Sequence, residues 1–294
     1  EKTGKKVVGV IPAIENLDID EEDSVALENK RNKGSKEIQI AVIQTPKISN
    51  FTDFDALNYE PDVSVRFVGN GDVIGTPDLI ILPGSKNTLA DLTYLKNSGL
   101  ADEIKALAAK GTPVIGICGG NQMLGTAIYD PHHMEGDIEE SEGLGLVNST
   151  TTMKDKKTTH QVTFDVDNLQ FLNGQFSGSE LVGYEIHMGD TTPNDESVKR
   201  CFTITKRSES AIEVVDGFID GQHQVMGTYI HGVFDNDDFR RFIVNQLRLR
   251  KGLEEMPVVF HYFEHKNNAY NRLADIVEEH LDMDYIMSLL KDNG

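Results

Sequence analysis

Apolar and polar positions first alternate along this chain and then run together. EIQIAVIQT (residues 37–45) alternates before turning continuously apolar, and VSVRFV (Val63–Val68) alternates in the same way, so both predict strands. PDLIILPG (Pro77–Gly84) and TPVIGI (Thr112–Ile117) are unbroken apolar runs bounded by turn residues. That is the pattern of parallel strands buried on both faces. Between them, TLADLTYLKNSGLADEIKALAAKG (Thr88–Gly111) predicts two helices interrupted at Asn97–Gly99. Strand, helix, strand and helix in alternation predict an α/β fold on a doubly wound, largely parallel sheet flanked by helices.

The pattern then changes. TTHQVTFDV, LVGYEIHMG, CFTITK and AIEVVDG predict a strand-rich middle, and HQVMGTYIHGVFDN (residues 223–236) a further strand ending at His231. DDFRRFIVNQLRLRKG and NNAYNRLADIVEEHLDMDYIMSLLKDNG return to a 3.6-residue period and predict C-terminal helices. Ahead of all this, Val7–Pro12 reads as strand-like, followed by the acidic DIDEEDSVAL and the Gly/Ser/Lys-rich ENKRNKGSK. The expected organisation is a tail and linker over residues 1–36, an α/β domain over 37–238 and a C-terminal helical extension over 239–294. The chain opens with Glu1, and the expectation is a piece of a longer protein.

Composition narrows the function. Hydrophobic residues make up 38% and charged residues 26%, as in ordinary soluble globular chains. No apolar run approaches the ~18 residues of a membrane span, and no signal peptide is visible. A net charge of −20 disfavours nucleic acid, which needs a basic footprint. Two cysteines argue for a reducing, cytoplasmic setting over a disulfide scaffold.

One of those cysteines carries the chemistry. In VIGICGGNQMLGTA (Val114–Ala127) a buried strand turns into a helix at Cys118. Gly116-Ile117-Cys118-Gly119-Gly120 has the G-x-S-x-G spacing of a nucleophile elbow, with sulfur in place of oxygen. The Gly119 N–H is placed to serve as an oxyanion donor. Cys201 lacks an elbow and reads as structural. A thiol nucleophile needs a base. His231, at the end of an apolar strand, is the first candidate and His187 the second. His132 and His133 with Glu135 and Asp137 support a metal site only weakly, and none is assigned.

LIILPGSKNTLADL (Leu79–Leu92), GICGGNQMLG, GYEIHMG, YIHGVFDN and DIDEEDSVAL together resemble the class I, triad-type glutamine amidotransferases, whose sheet is flavodoxin-like, and within them the cobyric acid synthase branch. The resemblance implies that Cys118 attacks the carboxamide of glutamine to form a thioester, and that His231 acts as base and then acid. It implies oxyanion contacts from Gly84, Ser85 and Gly119, and a substrate contact from Gln122. Most members of the class carry a glutamate two residues past the histidine, whereas this chain reads His231-Gly232-Val233. Glu185 and Asp235 are the candidates to orient His231 instead. The resemblance further implies an N-terminal ATP-dependent synthetase domain that amidates carboxylates of adenosylcobyrinic acid a,c-diamide. Residues 1–36 would be the end of that domain. No G-x-x-x-x-G-K-[ST] loop occurs here, so ATP and Mg2+ are expected only in the synthetase domain and no cofactor in this chain. Cobyrinic acid a,c-diamide synthase, an amidotransferase for peptidoglycan precursors, a cysteine hydrolase and a non-catalytic module keeping the fold are the alternatives.

Overall fold

The computed structural model describes residues 4–15, 17, 19 and 36–291. DIDEEDSVAL and ENKRNKGSK lie, apart from Ile19 and Lys36, outside the described residues. The chain divides into two compact units, Asp23–Phe260 and Glu1–Glu22 with His261–Gly294.

The larger unit is built on one mixed sheet. Its parallel centre runs in the order β13 (Val225–Thr228), β6 (Val114–Ile117), β4 (Leu79–Leu82), β1 (Ile38–Ile43), β3 (Val63–Val68). The apolar runs owe their continuity to burial on both faces. In β1, Ile38, Ile40 and Val42 enter one core cluster while Ala41 and Ile43 enter the other. In β4, Leu79 and Ile81 divide from Ile80 and Leu82 in the same way. Each Val, Leu or Ile among them contributes about 1.5–3 kcal/mol on burial.

An antiparallel extension follows β13, in the order β12 (Ser210–Ile219), β11 (Lys199–Arg207), β9 (Ser149–Phe171), β10 (Gly174–Pro193), β14 (Ile230–His231). The strand-rich middle is thus added edge-on to the parallel centre. The two helices expected across Thr88–Gly111 are α2 (Thr88–Ser98) and α3 (Leu100–Ala109), separated by Gly99 at φ 81°. Asn87 caps α2 by accepting from the Ala90 N–H at 2.8 Å.

Helix α5 (Asp237–Arg250) changes the expected boundary at residue 239, because Phe239, Ile243, Val244 and Leu247 lie in the core of the larger unit. A buried ionic cluster fixes it. Arg240 donates to Glu60 at 2.7 Å, Arg241 spans Glu60 and Asp62 at 2.9 Å each, and Arg248 donates to Asp62 at 2.9 Å. Five buried charges compensate one another with direct hydrogen bonds.

In the smaller unit, α6 (Tyr262–His280) and α7 (Met283–Lys291) are separated at Leu281–Asp282, where Asp282 accepts from the Tyr285 N–H at 3.1 Å. Val7–Pro12 does not form the expected strand. It makes a single bridge, Gly9 to Leu281, and leaves Val7 and Val10 exposed.

The Asp62→Asn variant tests the ionic cluster. It leaves two guanidiniums facing a neutral amide, and a loss of about 3–5 kcal/mol is expected in urea unfolding. Burial pushes the Asp62 carboxyl up, but bonds from Arg241 and Arg248 outweigh it and hold the group below its ordinary 3.8. The contribution is therefore present above 3.8 and lost as pH falls through the lower folded value. Acid unfolding of the wild type should steepen below pH 3.8, and that component should vanish in the variant.

Candidate active site

Strand β6 ends at Ile117, and Cys118 takes φ 52° and ψ −107° before helix α4 (Gly119–Leu124) begins. A non-glycine residue held there costs about 1–3 kcal/mol, and its surroundings must impose it. They do so from both sides. The Cys118 N–H donates to Thr228 O at 2.8 Å, and its carbonyl accepts from the Gln122 N–H at 3.1 Å. Glycine at 120 is a steric requirement, since a Cβ there would lie 2.0 Å from Leu82 O. The helix starts directly after the thiol, at Gly119. Cys118 Sγ lies 3.5 Å from Ile186 O on β10.

His231, on β14, is completely buried. Its Nδ1–H donates to Asp53 Oδ2 at 2.7 Å, and Asp53 Oδ1 accepts from the Gly232 N–H at 3.0 Å. Tyr184 stacks on the imidazole at 4.9 Å, and its hydroxyl accepts from Asn50 at 2.8 Å. The other ring nitrogen, Nε2, is buried with no hydrogen-bond partner among the described residues. Burial works against a charged imidazole, but the Asp53 carboxylate and then the Cys118 sulfur outweigh it and push the group up to about 10.

Asp53 corrects the sequence expectation. It sits in a 3-10 turn (Phe51–Phe54) ahead of the short helix α1 (Asp55–Tyr59). Glu185 is elsewhere: Arg207 holds it at 2.7 and 2.9 Å, and His187 Nε2 lies 3.3 Å away. Burial raises the Glu185 carboxyl, yet these partners together hold it below its ordinary value. Asp235 closes the turn after Gly232 and packs against that residue's backbone, away from the Nδ1 position that Asp53 fills. No local pattern marks Asp53, which is 178 residues from His231 in sequence.

The remaining predicted residues converge. Gly84 and Ser85 form β5, paired with β2 (Ile48–Ser49). A Cβ on Gly84 would come 3.0 Å from His231 Cε1, and one on Gly119 would come 2.9 Å from Ser85 N. The backbones of Ser85 and Gly119 thus meet beside the thiol and histidine. Gln122 is buried, accepting from Thr88 Oγ1 at 2.7 Å and donating to Tyr229 OH at 3.4 Å. Tyr229 in turn bonds Thr191 at 2.6 Å and stacks on His187 at 4.0 Å. Glycine at 189 is what lets Gln122 in, since a Cβ there would lie 2.1 Å from Gln122 Nε2.

A cavity of about 360 Å3 opens on Cys118, Ser85 and Gln122, and its further lining includes Lys86, Glu135, Lys157 and His187. Burial raises the Glu135 carboxyl, which accepts from the Leu89 N–H at 2.9 Å. His133 sits apart, near Gly136 O and Glu139. Among the described residues, no group of three or more His, Cys, Asp or Glu side chains is placed to hold a metal. Cys201 is buried, and burial with the nearby Asp216 carboxylate pushes its thiol well above its ordinary value.

Elbow, histidine and sheet define a class I glutamine amidotransferase domain. The sequence model of the CobB/CobQ-like glutamine amidotransferase domain matches residues 39–239. Cobyric acid synthase of Moorella thermoacetica is 44% identical over 291 residues, 98% of this chain and 56% of that protein. Cobyric acid synthase of Streptococcus sanguinis is 44% identical over 293 residues, 99% of this chain and 56% of that protein. This chain therefore spans about half the length of the curated relatives it matches. Among solved structures, PurLQS of Thermotoga maritima aligns with a TM-score of 0.51 at 18% identity, covering 79% of this chain and 98% of that one, a likeness of fold. The chain belongs to the CobB/CobQ-like glutamine amidotransferase family.

The Asp53→Asn variant tests the buried pair. Removing the carboxylate should bring the His231 imidazole down from about 10, because burial then opposes the charge with only the Cys118 sulfur to offset it, read by NMR of the ring protons across pH. A group raised on folding stabilises fully below its unfolded value and loses that contribution as pH rises through the folded one. For His231 that window is 6.5 to about 10, and the decline in stability across it should flatten in the variant.

Proposed function

We propose that this chain is the glutaminase half of a cobyric acid synthase. It would hydrolyse glutamine and supply ammonia for ATP-dependent amidation of corrinoid carboxylates by a synthetase region. The observation that carries the reading is Cys118 on a strained elbow, with the Asp53-held His231 beside it and the Ser85 and Gly119 backbones converging on the same spot. The relatives' name supplies the acceptor, and their greater length leaves room for the synthetase region. On this reading ATP and Mg2+ act in the synthetase region and the cytoplasm is the site of action. The thiol chemistry itself calls for no cofactor in this chain.

Cys118 passes its proton to His231 Nε2 and its Sγ forms a bond to the carboxamide carbon of glutamine, and the C=O electrons move onto oxygen. The Ser85 and Gly119 backbones are the proposed donors to that oxyanion; Gly119, as the first residue of its helix, has an N–H with no helical acceptor. When the tetrahedral species collapses, the C–N bond breaks and His231 delivers its proton to the departing nitrogen, releasing ammonia and leaving a glutamyl thioester. The imidazole, then neutral, takes a proton from water as it attacks the thioester, and glutamate leaves with the thiol restored. Asp53 keeps the ring oriented through both steps. Gln122 and Glu135 line the cavity, and Glu135 is the anion available to the substrate's α-ammonium group.

A diazoketone analogue of glutamine, 6-diazo-5-oxo-L-norleucine, should alkylate Cys118, leave Cys201 unmodified and be blocked by excess glutamine. Peptide mapping reads the site of attachment. His231→Ala should slow the reaction about 10²–10⁴-fold. Labelling that ignores glutamine, or that falls on Cys201, overturns the proposal.

A further inference from the structure

Tyr184 and His231 sit directly opposite one another in the short antiparallel ladder of β10 and β14, which also pairs Glu185 with Ile230. The strands come this close because residue 183 is glycine: a Cβ there would lie 2.6 Å from His231 O. Facing side chains of such a pair interact directly. Here the two rings stack, with centroids 4.9 Å apart and planes 12° from parallel. Asn50 holds the phenol in turn, its side-chain N–H donating to Tyr184 OH at 2.8 Å. The carbonyl of Asn50 accepts from the Asp53 N–H at 3.0 Å. One residue thus ties the ring on the face of the imidazole to the turn that carries its carboxylate partner. Burial, then the Asp53 carboxylate, push the Tyr184 phenol above its ordinary 10.0, so it meets the imidazole as a neutral ring.

The bond from Nδ1 to Asp53 fixes one atom of the imidazole, not the plane of the ring. Nε2 stays aimed at Cys118 only if that plane is fixed as well. The Tyr184 face supplies it, and a cation within about 6 Å of a tyrosine face is attracted by the ring quadrupole. Tyr184 is not among the residues that line the cavity at Cys118, so it acts through His231 and not on the substrate. We propose that Tyr184, clamped by Asn50, is a positioning residue: it holds the plane of the His231 imidazole so that Nε2 exchanges its proton in line with Cys118 and the reacting atoms. The inference rests on the glutaminase reading.

Two reagents separate proton delivery from thiol reactivity. Alkylation by 6-diazo-5-oxo-L-norleucine needs a proton on the diazo carbon: His231 gives it, dinitrogen leaves, and the Cys118 sulfur forms the S–C bond. Iodoacetamide forms its S–C bond as iodide leaves and needs no proton. Both rates at Cys118 are measured on the whole 294-residue chain, iodoacetamide serving as the control for thiol and fold. Tyr184→Leu should lower the diazoketone-to-iodoacetamide rate ratio by about 10- to 100-fold, between the loss of an aromatic pair and a 1 Å misplacement. Tyr184→Phe keeps the face and loses the bond to Asn50, and should retain most of the ratio. Should Tyr184→Leu let iodoacetamide reach the buried Cys201, a sign of unfolding, Tyr184→Met fills the space without a ring and takes its place. A ringless variant with the wild-type ratio, or a Tyr184→Phe variant as slow as the ringless one, overturns the role of the ring face and leaves the glutaminase reading intact. A wild type whose Cys118 is labelled by iodoacetamide and not by the diazoketone overturns that reading, and this inference with it.

Discussion

The buried bond from His231 Nδ1 to Asp53 joins two stretches of the larger unit far apart in sequence, the turn just after β2 and the strand β14. It determines which ring nitrogen is left for chemistry. With Nδ1 committed, Nε2 is the nitrogen left for Cys118, and the carboxylate counters the desolvation that would otherwise strip the imidazole of its proton. The same carboxylate takes the Gly232 N–H, so the histidine backbone and side chain are held by one group. A glutamate two residues past the histidine, at position 233, would have come from the same strand end, but this chain has Val233 there. The partner arrives instead from a distant stretch of the chain, and the fold has to be complete before the pair exists.

The elbow depends on the fold in a comparable way. Cys118 occupies an unfavourable backbone conformation because β6 is clamped between β4 and β13, and α4 packs onto Leu82 with no room for a side chain at 120. The strain at the thiol is thus borne by the buried parallel strands on either side of it. A second buried network steadies the pocket floor. Arg207 fixes Glu185, Glu185 meets His187, His187 stacks on Tyr229, and Tyr229 bonds Gln122. GYEIHMG thereby gains a physical meaning: a ring against His231, a carboxylate for Arg207, an imidazole on the cavity wall and a glycine that admits Gln122.

Further away, the Glu60, Asp62 and arginine cluster anchors α5 beside the start of β3. The 3.6-residue period of DDFRRFIVNQLRLR predicts a helix and says nothing of where its arginines go. Burial of Arg240 and Arg241 against carboxylates from a distant turn is invisible to periodicity, which counts apolar positions only.

What the sequence by itself determined are the features that arise within a few residues of one another. Continuous apolar runs announced the parallel strands, because burial on both faces leaves no polar position to alternate with. The glycines around Cys118 announced the elbow, because the close approach of chain segments excludes a Cβ locally. The tertiary structure alone decided the partner of His231. Glu185 is near it in sequence pattern but faces Arg207, while Asp53, 178 residues away, reaches Nδ1. It also decided that α5 belongs to the core and that Tyr184 faces His231, because the one follows from long-range packing and charge pairing and the other from strand register. A hydrogen bond is set by distance in space, and sequence spacing carries that distance only along a single strand, turn or helix.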